Sequence, residues 1–258
     1  MIEIESRIKH AAVDDTLRAA ASALWKRHAL TLFDPHDERN GLRVSDAGQC
    51  VRKLYNLVNG TIVDTFSPEV QLDNLDNGTM VGCWRACLLA ASLEADGFVV
   101  EMEPTVEHDG TPGHIDLYFH EPEWTKDLGE AAVIEFKSTN WTGALDHPEK
   151  SKRYQILQAA KYAAAKGCDD FAIVTVGPAA RGAKMRVDWF SLGDWQHAVI
   201  GEWLRLSAAL GPVEPDGDPD FAWRCKGCAV EWCDKNPEYA ATDELLVKRL
   251  EASVNARI

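Results

Sequence analysis

An apolar run that carries an acid and a lysine two positions apart is the strongest constraint in this chain. It reads Ala131-Ala132-Val133-Ile134-Glu135-Phe136-Lys137. Its apolar opening suits a central strand, where a spare charge is costly. Side chains alternate along a strand, so Glu135 and Lys137 share a face. A second acid, Asp116, lies in its own strand-like run, Gly113-His114-Ile115-Asp116-Leu117-Tyr118-Phe119. If those two strands pair, Asp116 and Glu135 converge on one divalent cation with Lys137 beside them. Hard carboxylate oxygens suit Mg2+ or Mn2+, and the carbonyl of Phe136 offers a further ligand. Such an ion polarises a phosphodiester and acidifies an attacking water, while Lys137 offsets developing charge. The same spacing also fits two exposed residues of a half-buried strand, so the pattern alone leaves both readings open.

The surrounding periodicity predicts an α/β (α+β) chain. Helices are expected over residues 4–32, 50–60, 80–95, 154–166, 192–210 and 242–256, with Ser45 read as the N-cap of the second. Strands are expected over 98–106, 114–120 and 131–139, in an antiparallel meander broken by turn chemistry at 109–113 and 121–123. A buried strand is expected at 171–176 and an edge strand at 185–190. On the helix that follows the acid-x-lysine strand, Gln158 and Tyr162 are four apart and share a face. Their amide and phenol can touch a substrate or brace the site.

Charge limits the partner. The net charge is −14, which excludes a broadly basic surface of the kind that coats nucleic acid. Between Glu94 and Glu135 stand twelve acids and one lysine, Lys126. Basic residues collect at Arg52-Lys53, Lys152-Arg153, Arg181 with Lys184 and Arg186, and Arg224 with Lys226. A nucleic-acid path would have to use Arg52, Lys53, Lys152, Arg153, Arg224 and Lys226, with Trp84, Trp141 and Trp223 as stacking surfaces. No stretch approaches the roughly 20 apolar residues of a membrane span, and the first residues lack a signal-peptide pattern. A cytoplasmic location is expected, where seven cysteines point to metal or cluster binding before disulfides.

Asp116, then Glu135-x-Lys137, then Gln158-x-x-x-Tyr162, in this order, resembles the RecB-type branch of the PD-(D/E)XK nucleases. The resemblance implies a central mixed sheet flanked by helices, a restriction-endonuclease-like core over residues 98–190 within a single nuclease domain, 1–258. It implies Asp116 and Glu135 as metal ligands, Lys137 as the catalytic lysine, and Gln158 and Tyr162 as the helix motif. One departure stands out. That branch carries a metal-binding histidine on the helix before the strands, and here the matching place is Gly82, next to Cys83.

Cys225-x-x-Cys228 followed by Cys233 is a strong ligand pattern. Three thiolates leave one tetrahedral position open, and Cys50 is the best fourth. This one-plus-three arrangement resembles the iron–sulfur staple of Cas-four-like and AddB-type exonucleases. It implies a 4Fe–4S cluster that joins segments 45–60 and 211–240, with zinc as the alternative on the same thiolates. The segment after Gly211 is read as too small and polar to hold by packing. Cys83, Cys87 and Cys168 are read as core residues. Together the two motif sets imply a DNA exonuclease acting on single strands or ends, in recombination, repair or phage DNA processing. The alternatives are a weakened DNA-binding module, or a zinc-stapled adaptor of a recombination or CRISPR-adaptation complex.

Overall fold

The computed structural model describes residues 3–11, 13–32, 41–62, 80–122, 130–139, 152–177, 185–216, 228, 230 and 233. The chain divides into two compact units. One comprises residues 1–38, 43–47 and 66–201, and the other residues 39–42, 48–65 and 202–258.

The first unit is built on a five-stranded mixed sheet. Its strands are β1 (Val99–Met102), β4 (Leu117–His120), β5 (Ala131–Ser138), β6 (Asp170–Val176) and β7 (Met185–Ser191), in the order β1-β4-β5-β6-β7. Only β5 and β6 run parallel; the other neighbours are antiparallel. Parallel neighbours need a crossover, and α5 (Arg153–Lys166) lies in it. The central position of β5 explains its near-continuous apolar sequence, since both of its faces are buried.

The two faces have different chemistry. Leu117, Phe119, Ala132, Ile134, Phe136, Ala172, Val174 and Val176 point into one core with α1 (Ile4–His10), α2 (Asp15–Leu32) and α4 (Met80–Ala95). The alternate residues of β5, Val133, Glu135 and Lys137, face the other way, and α5 packs on β5 and β6 there. Ala159, Ala160 and Ala163 of α5 are fully buried. Such small side chains let the helix lie close to the charged strand.

Several elements differ from the sequence expectation. The expected helix 4–32 is two helices: Ala11 is extended, and the Asp14 carboxylate caps the second helix by accepting from the Leu17 backbone N–H at 2.8 Å. Ser45 caps no helix. It sits in a 3₁₀ turn, Val44–Asp46, and the N-cap of α3 (Val51–Val58) is Cys50. The expected meander is interrupted by a separate ribbon of β2 (Thr105–His108) and β3 (Thr111–His114) between β1 and β4. Asp109 and Gly110 form its two-residue turn, both with positive φ, 52° and 69°, as a type I′ hairpin turn requires.

In the second unit, Leu42, Val51, Leu54, Leu57 and Ile62 share one apolar core with Leu206, Ala209, Val230 and Cys233. The last residues of α6 (Leu192–Leu206) lead into a 3₁₀ turn, Ser207–Leu210, where one helix to 210 was expected. That turn packs on α3. Packing therefore does hold part of the segment after Gly211, because Val230 and Cys233 reach across to α3 side chains. The Arg52 guanidinium donates to the Pro215 carbonyl at 3.1 Å and to Cys233 Sγ at 3.4 Å, and it pairs with Glu214 and Asp216. Arg52 is thus a structural tie here and not an exposed basic contact. The expected helix 242–256 lies outside the described residues.

Candidate active site

Strand register brings the two acids together. Leu117 pairs with Ile134, so Asp116, the residue before β4, comes to the Glu135 end of β5, close enough for its charge to act on Glu135. Asp116 sits in the bend between β3 and β4, outside the strand in which the sequence run had placed it. Its carboxylate accepts from the Phe136 backbone N–H at 2.6 Å. Its own carbonyl accepts from the Glu103 N–H at 3.2 Å, and Ile115 N–H donates to the Pro104 carbonyl at 3.2 Å. These two bonds close the base of the hairpin and fix the bend.

The two oxygens of Glu135 are treated unequally. Lys137 Nζ donates to Oε1 at 2.5 Å and to Gln158 Oε1 at 3.1 Å. Gln158 Nε2 donates to the same Glu135 Oε1 at 3.0 Å and reaches the Tyr162 hydroxyl at 3.5 Å. Glu135 Oε2 is buried with no hydrogen-bond partner. A buried carboxylate oxygen without a partner is expensive, and the acid responds by holding its proton. Burial, then the neighbouring Asp116 charge, push Glu135 up to about 8. Burial alone would lower Lys137, but the Glu135 and Asp116 carboxylates outweigh it and hold the group as an ammonium above its usual range. Tyr162, 2% exposed, is kept a neutral phenol, first by burial and then by the Glu135 charge.

All five expected residues, Asp116, Glu135, Lys137, Gln158 and Tyr162, therefore meet on the α5 face of the sheet. The donor types suit a hard divalent cation: two neighbouring carboxylates, with Glu135 Oε2 unpartnered, and a backbone carbonyl at Phe136. Among the described residues no group of three or more His, Cys, Asp or Glu side chains is placed to hold a metal, so a cation here would draw its remaining ligands from the backbone, water or substrate. Gly82, the place of the absent histidine, faces Phe136 from the opposite side of the sheet, its β-position 3.9 Å from Phe136 Cβ. Cys83 beside it is core, as are Cys87 and Cys168. Burial raises the Cys87 thiol to about 11, helped by Cys83 and Glu103.

Sequence reasoning missed two contributors. Tyr154 lies on the same helix as Gln158 and Tyr162, four and eight positions before them and so on the same face, and that spacing was the available signal. Gly113 was read as turn chemistry and as the start of the strand-like run of Asp116, not as a neighbour of Tyr162. At the start of α5, Lys152 and Arg153 are exposed, lying 5.8 Å from the Tyr154 ring and 5.9 Å from the Trp195 ring. Trp84 packs against the core. Cys50 and Cys228 are half-buried and Cys233 is buried, all three in the second unit. Trp141, Trp223, Arg224, Cys225 and Lys226 lie outside the described residues. No helix among the described residues is long and apolar enough to cross a membrane.

No protein-family model matches the chain, and no curated protein matches it. Among solved structures it is similar to SSO0001, with 14% identity over 86% of this chain and 98% of that one, at a TM-score of 0.49. It is similar to an alkaline exonuclease, LHK-Exo from Laribacter hongkongensis, with 13% identity over 66% of this chain and 90% of that one, at 0.36. The same exonuclease in complex with dAMP aligns at 15% identity and 0.32. These likenesses are distant, and none bears on the chemistry of the site.

Proposed function

We propose that this chain is a metal-dependent deoxyribonuclease of the PD-(D/E)XK type, an exonuclease acting on single strands or DNA ends. One observation carries the reading: Glu135 Oε1 is saturated by Lys137 and Gln158 while its buried Oε2 has no partner. Asp116, Glu135 and the Phe136 carbonyl would hold Mg2+ or Mn2+, which supplies Lewis-acid polarisation of the phosphate and a more acidic water. Lys137 stays protonated, so its part is to donate to a phosphate oxygen or to the attacking water and to offset negative charge, not to act as a base. Gln158 holds both Glu135 and Lys137 in place. Lys152 and Arg153 supply phosphate contacts.

The cysteines Cys50, Cys225, Cys228 and Cys233 are proposed as the ligands of a 4Fe–4S cluster, or of zinc, in the second unit. The shared core of Cys228, Cys233 and α3, next to Cys50, supports that grouping. Recombination, repair, phage DNA processing and CRISPR adaptation are the settings that such chemistry serves. The test is degradation of end-labelled single-stranded and duplex DNA by the cluster-loaded protein, with Mg2+, Mn2+ and a chelator. Metal-dependent release of nucleotides is expected. Binding without cleavage would instead establish the second reading, a DNA-binding module, which the absence of a histidine at Gly82 favours.

A further inference from the structure

The hairpin β2–β3 does more than connect β1 to β4. A β-carbon on Gly113 would stand 2.6 Å from Tyr162 Cε1 and 3.0 Å from Val44 Cβ and Cγ2. Real β-carbons do not come that close to a ring, and neither neighbour has room to retreat: Val44 is 0% exposed and Tyr162 2%. The far end of the ribbon is tied to the same helix, because Lys161, buried at 2%, donates to Asp109 Oδ2 at 3.0 Å. Strand β3 thus meets α5 with a gap at Gly113. The ring that fills the gap carries the hydroxyl that meets Gln158, and Gln158, with Lys137, occupies Glu135 Oε1.

We propose that Gly113 is a positioning residue of this site: the space left by its missing β-carbon seats the Tyr162 ring, and that seat holds Gln158 in its bond to Glu135 Oε1, beside the one from Lys137. The inference deepens the nuclease reading and rests on it for its kinetic consequence, but not for its structural one. A methyl group at position 113 must move the ring. The phenol then leaves Gln158, the amide swings, and Glu135 Oε1 keeps only its bond from Lys137.

The test is Gly113→Ala, alone and combined with Tyr162→Leu, which removes the Cε1 atom. In Mn2+-supported cleavage of single-stranded DNA, Gly113→Ala should lower kcat by about tenfold to a hundredfold, the range expected for a misplacement near 1 Å, with KM for DNA little changed. In the Tyr162→Leu background the same alanine should cost nothing further. An equal loss in both backgrounds would overturn the proposal, because Gly113 would then act without Tyr162. A crystal structure of Gly113→Ala decides independently of activity: the Gln158 Nε2 to Glu135 Oε1 bond should be broken, and an unchanged Tyr162–Gln158–Glu135 chain would refute the inference even if the protein proves to cleave no DNA. Should Gly113→Ala fail to fold, the double variant, which removes the 2.6 Å contact and leaves only the 3.0 Å approach to Val44, should be the more stable of the two; a double variant no more stable than Gly113→Ala would also overturn the proposal.

Discussion

Glu135→Gln in the metal-free protein tests the electrostatics of the site most directly. Glu135 is 2% exposed, and its carboxyl is pushed from an ordinary 4.5 up to about 8 by burial and by Asp116. Between those two values the folded state binds a proton that the unfolded state has released, so stability falls as pH rises. The contribution is fully present below pH 4.5 and is lost as pH passes through about 8. At about 1.4 kcal/mol per pH unit, the most this group can withdraw is roughly 5 kcal/mol. For a chain of this size that corresponds to a fall of about 10–20 °C in Tm. Glutamine keeps the shape and the acceptor for Lys137 but cannot ionise. The assay is a pair of thermal melts from pH 5 to 8.5 in chelator, wild type against variant. The wild type should lose more stability than Glu135→Gln across that window, and the variant should be the more stable protein at pH 8. Parallel pH curves for the two proteins would refute the picture of a buried acid that holds its proton.

Three further perturbations separate the parts of the structure. Lys137→Ala should reduce cleavage by about a hundredfold or more, as loss of a transition-state cation does, while circular dichroism stays native because Glu135 can remain neutral; unchanged turnover would place the chemistry elsewhere. Asp14→Ala removes the cap on α2 and should cost about 0.5–2 kcal/mol in denaturant melts, with Asp14→Asn close to wild type. Anaerobic purification with iron and sulfide quantitation should find about four irons per chain, lost in Cys233→Ser; zinc in their place would turn the cysteine site into a structural staple without redox chemistry.

The strands and helices that carry the chemistry were legible because their signals are local. An acid and a lysine inside a run as apolar as 131–137 belong to a central strand, and the helix that ends at Gly167 has an amide and a phenol on one face. The ribbon was not legible. Thr111-Pro112-Gly113-His114 breaks the period of a strand with a proline and a glycine, residues that a main-sheet strand excludes but a two-stranded ribbon accepts. The corner that starts the detour is Glu103, whose φ of 51° is unusual for a residue with a side chain. Nothing in its sequence context announces that conformation; it is imposed by the bond from its N–H to the Asp116 carbonyl. The capping role of Asp14 was available in the sequence and was hidden by continuous helical spacing on either side. Asp116 was found as a residue type, yet its place near Glu135 depends on the β4–β5 register, which no local pattern specifies.

That register has a consequence for metal binding. Asp116, Glu135 and Lys137 would together carry two negative charges and one positive, and burial removes the imbalance by leaving a proton on Glu135. A divalent cation placed between the carboxylates competes with that proton. Binding near pH 7, below the value of about 8 to which Glu135 is raised, should therefore expel about one proton per ion. Calorimetric titration with Mn2+ in buffers of different ionisation enthalpy measures the number, and Glu135→Gln should release none. As pH is raised past 8 the released fraction should fall towards zero in the wild type, since the proton has already gone. Binding that releases no proton at pH 7 would mean that the ion does not engage Glu135, and the unpartnered oxygen would need another occupant.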